Sequence, residues 1–237
     1  MHDDRTGRVR LALCAATAIG LLAICSGAHA ARPFFTEDAD IIQRGNCEVE
    51  LVQVEQRARM TEAESGTSAQ LACGVPASTE LAVIGFRIRR GAEHWPGAGV
   101  GGKTGLQPVG DGALGVAIAY SLLAEKLPGA SFQRSRSAIS LVGTQTAGRM
   151  LFHGNVGFAR DHFERENLVP WAAAAEHLGE RFDFGGEVFA EGRRSAWLGA
   201  GARYAALPDR LSLDLSYAVR TNSARTRRAT LGMTLSF

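Results

Sequence analysis

Two stretches of this 237-residue chain have residue types and spacings that could do chemistry, and a third group could do so if a fold gathered it. Gly97-Ala98-Gly99-Val100-Gly101-Gly102-Lys103-Thr104 fits the G-x-x-x-x-G-K-[ST] pattern of a phosphate-cradling loop. That chemistry needs a buried parallel strand before the loop and a helix after it, whose N-terminal amides hold the phosphate. Gly105-Leu106-Gln107-Pro108-Val109-Gly110-Asp111-Gly112 follows instead, and this run cannot sustain a helix. A glycine-rich entry into a strand, with Lys103 as an inward side chain and no nucleotide, fits better. The histidines His94, His153, His162 and His177 contain no pair at metal-ligand spacing, so no metal or other cofactor is implied. His153 and Asn155 stand two apart, which would put them on one face of a strand.

The third group is a scatter of charges: Arg87 and Arg89, Glu187 and Glu191, Arg203, Asp214 and Arg220. Their chemistry depends on the elements that carry them, and those elements read as strands. Leu211, Leu213, Leu215, Tyr217 and Val219 alternate with Ser212, Asp214, Ser216 and Arg220. Leu114, Val116, Ile118, Tyr120 and Leu122 alternate with glycine, alanine and serine, and Phe152, Val156 and Phe158 oppose His153, Asn155 and Gly157. Period-two patterning of this kind means strands with one apolar face. Twelve such segments are expected: 47–59, 67–75, 79–90, 98–108, 112–123, 132–146, 150–161, 168–178, 181–192, 195–207, 210–220 and 226–237. The 168–178 segment contains an alanine run that would also suit a helix.

The first thirty residues read as an export signal. Arg5, Arg8 and Arg10 form its basic region, Leu11 to Ile24 its apolar region, and Ala28-His29-Ala30 its cleavage site. Cys25 would allow lipidation, but Ile24 stands where a small residue is expected. Residues 31–46 show no period and read as a short N-terminal arm on the periplasmic side. With the signal removed, the cysteines reduce to Cys47 and Cys73, which in an exported chain most simply pair, two buried thiols being the alternative. The formal net charge of +2 implies no nucleic-acid partner.

No later segment is long and apolar enough for a helical span, so a membrane location requires a closed barrel. The connections support one. The tight ones (76–78, 110–111, 147–149, 179–180, 208–209) alternate with longer charged ones (60–66, 91–97, 124–131, 161–167, 221–225), the exception being 192–194. This is the asymmetry of an outer-membrane barrel with both termini inside. A soluble β-sandwich, the competing fold, gives no reason for it. The expected architecture is an all-β, closed antiparallel transmembrane barrel over 47–237 in the cell outer membrane. Apolar positions would face lipid, and Arg87, Arg89, Lys103, His153, Asn155, Glu187, Arg203, Asp214 and Arg220 would face the lumen.

Arg32-Pro33, Thr36-Glu37-Asp38-Ala39 and Gly45-Asn46-Cys47-Glu48-Val49-Glu50 resemble the opening of a family of proteobacterial outer-membrane barrels. In that family an Arg-Pro-x-x-Thr-x-Asp-Ala arm precedes a Gly-x-Cys-x-x-Glu strand start. A second cysteine precedes a Leu-Glu-Leu-like strand, matched loosely here by Cys73 and Glu80-Leu81; Pro208-Asp209-Arg210 before a Leu-x-Leu-Asp strand also matches. Cys73-Gly74-Val75-Pro76 departs from the usual Pro-Ala-Cys-Asn-Pro. The family is similar to barrels of the meta-pathway of phenol degradation. The resemblance implies passage of small, hydrophobic or aromatic compounds, with outer-membrane lipids and the barrel-assembly machinery as partners. The terminal Phe237 resembles the assembly signal of such barrels. A closed-lumen structural or binding barrel is the alternative, and a lipid-acting hydrolase a further one. An outer-membrane phospholipase places its histidine and serine two apart on one strand face, and His153-Gly154-Asn155 lacks that serine. No catalytic residue is assigned.

Overall fold

The computed structural model describes residues 34–58, 63–110, 112–127, 129–192, 195–221 and 226–237. The export signal and Arg32-Pro33 lie outside the described residues. Thirteen strands follow in order: β1 Cys47–Arg57, β2 Glu64–Val75, β3 Thr79–Arg90, β4 Glu93–Gln107, β5 Leu114–Lys126, β6 Phe132–Ala147, β7 Met150–Asp161, β8 Glu166–Leu168, β9 Trp171–His177, β10 Phe182–Ala190, β11 Trp197–Leu207, β12 Leu211–Arg220 and β13 Arg227–Ser236. Among the described residues there is no helix. The alanine run at 172–175 is strand β9.

Apart from β8 and β9, sequence-adjacent strands pair antiparallel, and β1 closes on β13 in a ten-residue register from Glu48↔Ser236 to Arg57↔Arg227. Strands β8 and β9 both pair with β7, β8 against 159–161 and β9 against 150–156. They form one stave interrupted at Pro170, which has no N–H for the ladder but whose carbonyl accepts the Gly157 N–H at 2.9 Å. The result is a closed, twelve-staved antiparallel barrel. Closure gives every stave a partner on both sides, which removes the edges that an open sheet would leave unpaired.

The end where β1 starts and β13 stops is called the near end here, and the opposite end the far end. Near-end turns require unusual backbone: Ala77 and Ser78 have φ of 64° and 48°, and Asp209 has φ of 60°. At 148–149 the φ of 62° falls on Gly148, where a missing Cβ removes the steric cost. Loop lengths are less asymmetric than the sequence suggested. The far-end link between β3 and β4 is only Gly91-Ala92, and the near-end link between β4 and β5 runs from 108 to 113. The His94–Val100 stretch belongs to β4 because its residues continue the ladder to β3 from Arg90↔Glu93 onward.

The two faces of the sheet are inverted relative to a water-soluble protein. Leu81, Val83, Leu141, Phe184, Leu215 and Leu231 point outward with half or more of their area exposed. They belong to a continuous belt of large hydrophobics around the barrel, far beyond what a soluble surface carries. The interior is polar and small: Glu48, Thr144, Glu176, Arg203 and Asp214 are buried there, beside alanines and glycines. This pattern, with closure, excludes the soluble sandwich. Cys47 and Cys73 are register partners on β1 and β2 and are joined by a disulfide.

Candidate functional site: a lumen plugged by its own arm

Residues 34–46, within the stretch read from sequence as an arm, turn back from the near end into the barrel. The turn is possible because Gly74 has no side chain. A Cβ there would strike the carbonyl oxygens of Ile42 and Gln43, and the Gly74 N–H donates instead to Asn46 O at 3.0 Å. From there the arm climbs toward the far end, and inward side chains take up its backbone polar groups. Ile42 N–H donates to Glu80 Oε2 at 2.9 Å and Ala39 N–H to Thr144 Oγ1 at 2.8 Å. Glu37 N–H donates to Asn155 Oδ1 at 2.7 Å, while Asn155 Nδ2 donates back to Glu37 O at 2.9 Å. Glu187 accepts three bonds: Phe35 N–H at 3.2 Å, Thr36 N–H at 3.0 Å and Thr36 Oγ1 at 2.9 Å. A segment without secondary structure can be buried only if its amides find such partners. The wall of this barrel supplies them.

Ion pairs and apolar contacts reinforce the seat. Lys103 Nζ lies 3.4 Å from Asp38 Oδ1 and 3.7 Å from Glu80 Oε1, so one cation bridges arm and wall. Ala39 packs into a small cluster with Ala117, Ala119 and Val142, joined by Ile41 and Val109. The Phe34 ring lies over Gly185 and Gly201. Phe35 stacks on Phe189 at 4.5 Å, and Phe189 stacks on Trp197 at 5.8 Å. Arg228 sits 4.6 Å above the Trp197 ring and donates to Glu191 Oε1 at 2.8 Å, and Arg220 sits 5.5 Å from the same ring. The arm thus ends in a cation–aromatic stack at the far mouth. Two cavities flank it, of about 370 Å³ and 400 Å³, and Glu50 lines both.

The residues singled out from sequence fall as follows. Lys103, Asn155 and Glu187 hold the arm. Arg203 and Asp214 are register partners on β11 and β12 and form a buried bidentate pair, Nε to Oδ1 at 2.7 Å and Nη2 to Oδ2 at 3.3 Å. Arg220 lines the far mouth. His153 Nδ1 lies 2.9 Å from Thr144 Oγ1, and its Nε2 lies 3.8 Å from Glu176 Oε2. A hydroxyl, an imidazole and a carboxylate in series suggest a nucleophile triad, but Thr144 is fully buried and its oxygen already accepts the Ala39 amide. Thr144, braced by His153, holds the arm at Ala39.

Arg87 and Arg89 are a correction: they lie on the outer face of β3, with Leu81 and Val83, and the inner face carries Glu80, Ala82, Ile84, Phe86 and Ile88. Arginine is tolerated outside there because both positions are in the last turns of the strand before the far rim, at Gly91. Sequence reasoning also missed Glu48, Glu50 and Glu80 as interior groups. A signal was present for the first two, since Glu48 and Glu50 alternate with Val49 and Leu51. Nothing local marked Phe189, Trp197 or the arm's own Thr36 and Asp38 as lumen residues.

The family described as Uncharacterised conserved protein UCP029691 matches residues 19–237. The chain belongs to this family. No curated protein matches it. Among solved structures, the KdgM porin in complex with disordered oligogalacturonate superposes with a TM-score of 0.61 at 9% identity, over 80% of this chain and 99% of the other. The NanC porin superposes with a TM-score of 0.56 at 7% identity, over 79% and 98%. Outer membrane phospholipase A from Escherichia coli gives a TM-score of 0.50 at 8% identity, over 88% and 94%. At these identities the likeness is one of fold: the chain shares the barrel architecture of outer-membrane proteins.

Proposed function

We propose that this protein is an outer-membrane channel for small solutes whose passage is controlled by its own N-terminal arm. The near end would face the periplasm and the far end the outside, with Phe237 serving the assembly machinery as a terminal aromatic. The observation that carries the reading is the seat of residues 34–46 inside the lumen. Its root bridges to β2 at Arg44↔Gly74, but residues 34–43 are held through side chains rather than strand pairing, so they can leave without breaking the barrel. The apolar inner wall of the far half, with Val52, Val54, Ile88 and Phe189 around Phe34 and Phe35, supports solutes with a hydrophobic or aromatic part. The likeness to barrels of phenol degradation agrees with that solute class.

The test is conductance in planar bilayers for the intact mature chain and for a chain lacking residues 34–43. The reading expects low or intermittent conductance from the first and a steady open conduit from the second. Equal, absent conductance in both would favour a closed-lumen binding barrel, a reading that the filled lumen also supports. Hydrolysis of lipid by the intact chain, lost on replacing His153, would instead reinstate the hydrolase.

A further inference from the structure

The outer wall carries a feature that a lipid-facing surface rarely has. Arg87 and Arg89 on β3, Lys126 on β5 and Arg134 on β6 all point outward at the far end and are exposed. The register brings them together. Arg87 lies across from Pro96 on β4, and Arg134 lies in the row Gly85–Ala98–Ala124–Arg134. At about 4.8 Å per strand and 3.3 Å per residue, the four cations occupy a patch roughly 20 Å across at its widest. Among the described residues none of the four makes an ion pair, and the nearby outward acid, Glu55, is taken by Arg57. Directly below the patch, on the same strands, an apolar groove of about 710 Å³ opens between Leu81, Val83, Tyr120 and Leu122. Small residues, Ala82, Gly101 and Ala138, line it between these side chains, and the Tyr120 ring lies over Gly102 at its edge.

We propose that this face holds one phosphorylated glycolipid of the outer leaflet, with acyl chain in the groove and phosphates on Arg87, Arg89, Lys126 and Arg134. The inference rests on the outer-membrane reading, which puts the far end at that leaflet. Charge complementarity selects the occupant. A patch of unpaired cations at headgroup height attracts phosphate, and an apolar groove beneath it takes a chain that free phosphate lacks.

The test uses the full mature chain folded in neutral detergent and three probes: bisphosphorylated hexa-acyl lipid A, the same lipid without its phosphates, and inorganic phosphate. Native mass spectrometry and the midpoint of heat-modified gel mobility are the readouts. The phosphorylated lipid should bind and raise the midpoint. The R87Q/R89Q/K126Q/R134Q variant should bind it on the order of a thousandfold more weakly, and R134Q alone roughly fivefold. The single substitution keeps the test valid where the quadruple variant folds poorly. Equal binding of the dephosphorylated lipid, unchanged affinity in both variants, equal competition by inorganic phosphate, or lipid-free self-association through this face would each overturn the proposal. Failure of the outer-membrane reading shows itself separately: the unheated wild-type chain would then give no compact fast band, before any lipid is added.

Discussion

Glu187→Ala is the sharpest probe of the plug. The Glu187 carboxylate accepts two arm amides and one arm hydroxyl, and the substitution leaves all three donors without their partner. An unsatisfied buried donor costs about 1–3 kcal/mol, and cavity water will compensate part of that where the arm borders the flanking spaces. A net loss of roughly 2–4 kcal/mol in arm docking follows, which lowers the ratio of seated to released arm on the order of 30- to 1000-fold. The Phe35–Phe189 stack should be lost with it, since Phe35 is adjacent to both tethered amides. The barrel should remain, because Glu187 makes its strand pairs to Gly199 and Ala174 through the backbone. The assay is single-channel recording combined with mass-spectrometric detection of cleavage after Glu37 by a glutamate-specific protease. The expected outcome is longer open dwell times and faster cleavage at Glu37 than in wild type, with heat-modified mobility preserved. A variant with wild-type dwell times and wild-type protection of Glu37 would refute the assignment of Glu187 as the arm's anchor. That refutation would be complete if removal of residues 34–43 opened the same pore.

Gly74→Val should release the arm from its other end, because the new side chain occupies the space of the Ile42 and Gln43 carbonyls; protease access to Glu37 should rise while the barrel still folds. Arg203→Ala should leave Asp214 buried without its bidentate partner and cost about 3–5 kcal/mol, less whatever lumen water restores, read as a lower midpoint of heat-modified mobility. The double substitution C47S/C73S should lower that midpoint too, since closing a loop of this length is worth roughly 3–4 kcal/mol in the chain-entropy model. It should leave Glu37 protection unchanged, because the disulfide lies on the outer face and the arm near Glu37 is held by the inward side chains of Asn155, Thr144 and Glu187. Deleting Phe237 should reduce the amount of assembled barrel in the outer membrane, and the truncated chain should also lose the two backbone bonds between residues 47 and 237, at 2.8 and 2.9 Å.

What the amino-acid order determined by itself was the set of strands and most of their faces. Where apolar and polar residues alternate cleanly, as in Leu211 to Arg220, the period of two assigns both the element and its orientation, because successive side chains must point to opposite sides. Closure into twelve staves was also legible, from the spacing of turns such as 76–78 and 208–210. Strand β3 was not legible in this way. Both of its faces carry apolar residues, Leu81 and Val83 outside against Ile84 and Phe86 inside, so the charges alone suggested a face, and Arg87 and Arg89 were assigned to the wrong one. Only the register, with Glu80 opposite Lys103, decides it. The arm was legible least of all. It has no period, and the wall side chains that accept its amides lie 38 to 152 residues away in sequence. Its place depends on a lumen that exists only after the barrel has closed, lined at the right heights with Glu80, Thr144, Asn155 and Glu187 to receive amides that no strand pairs.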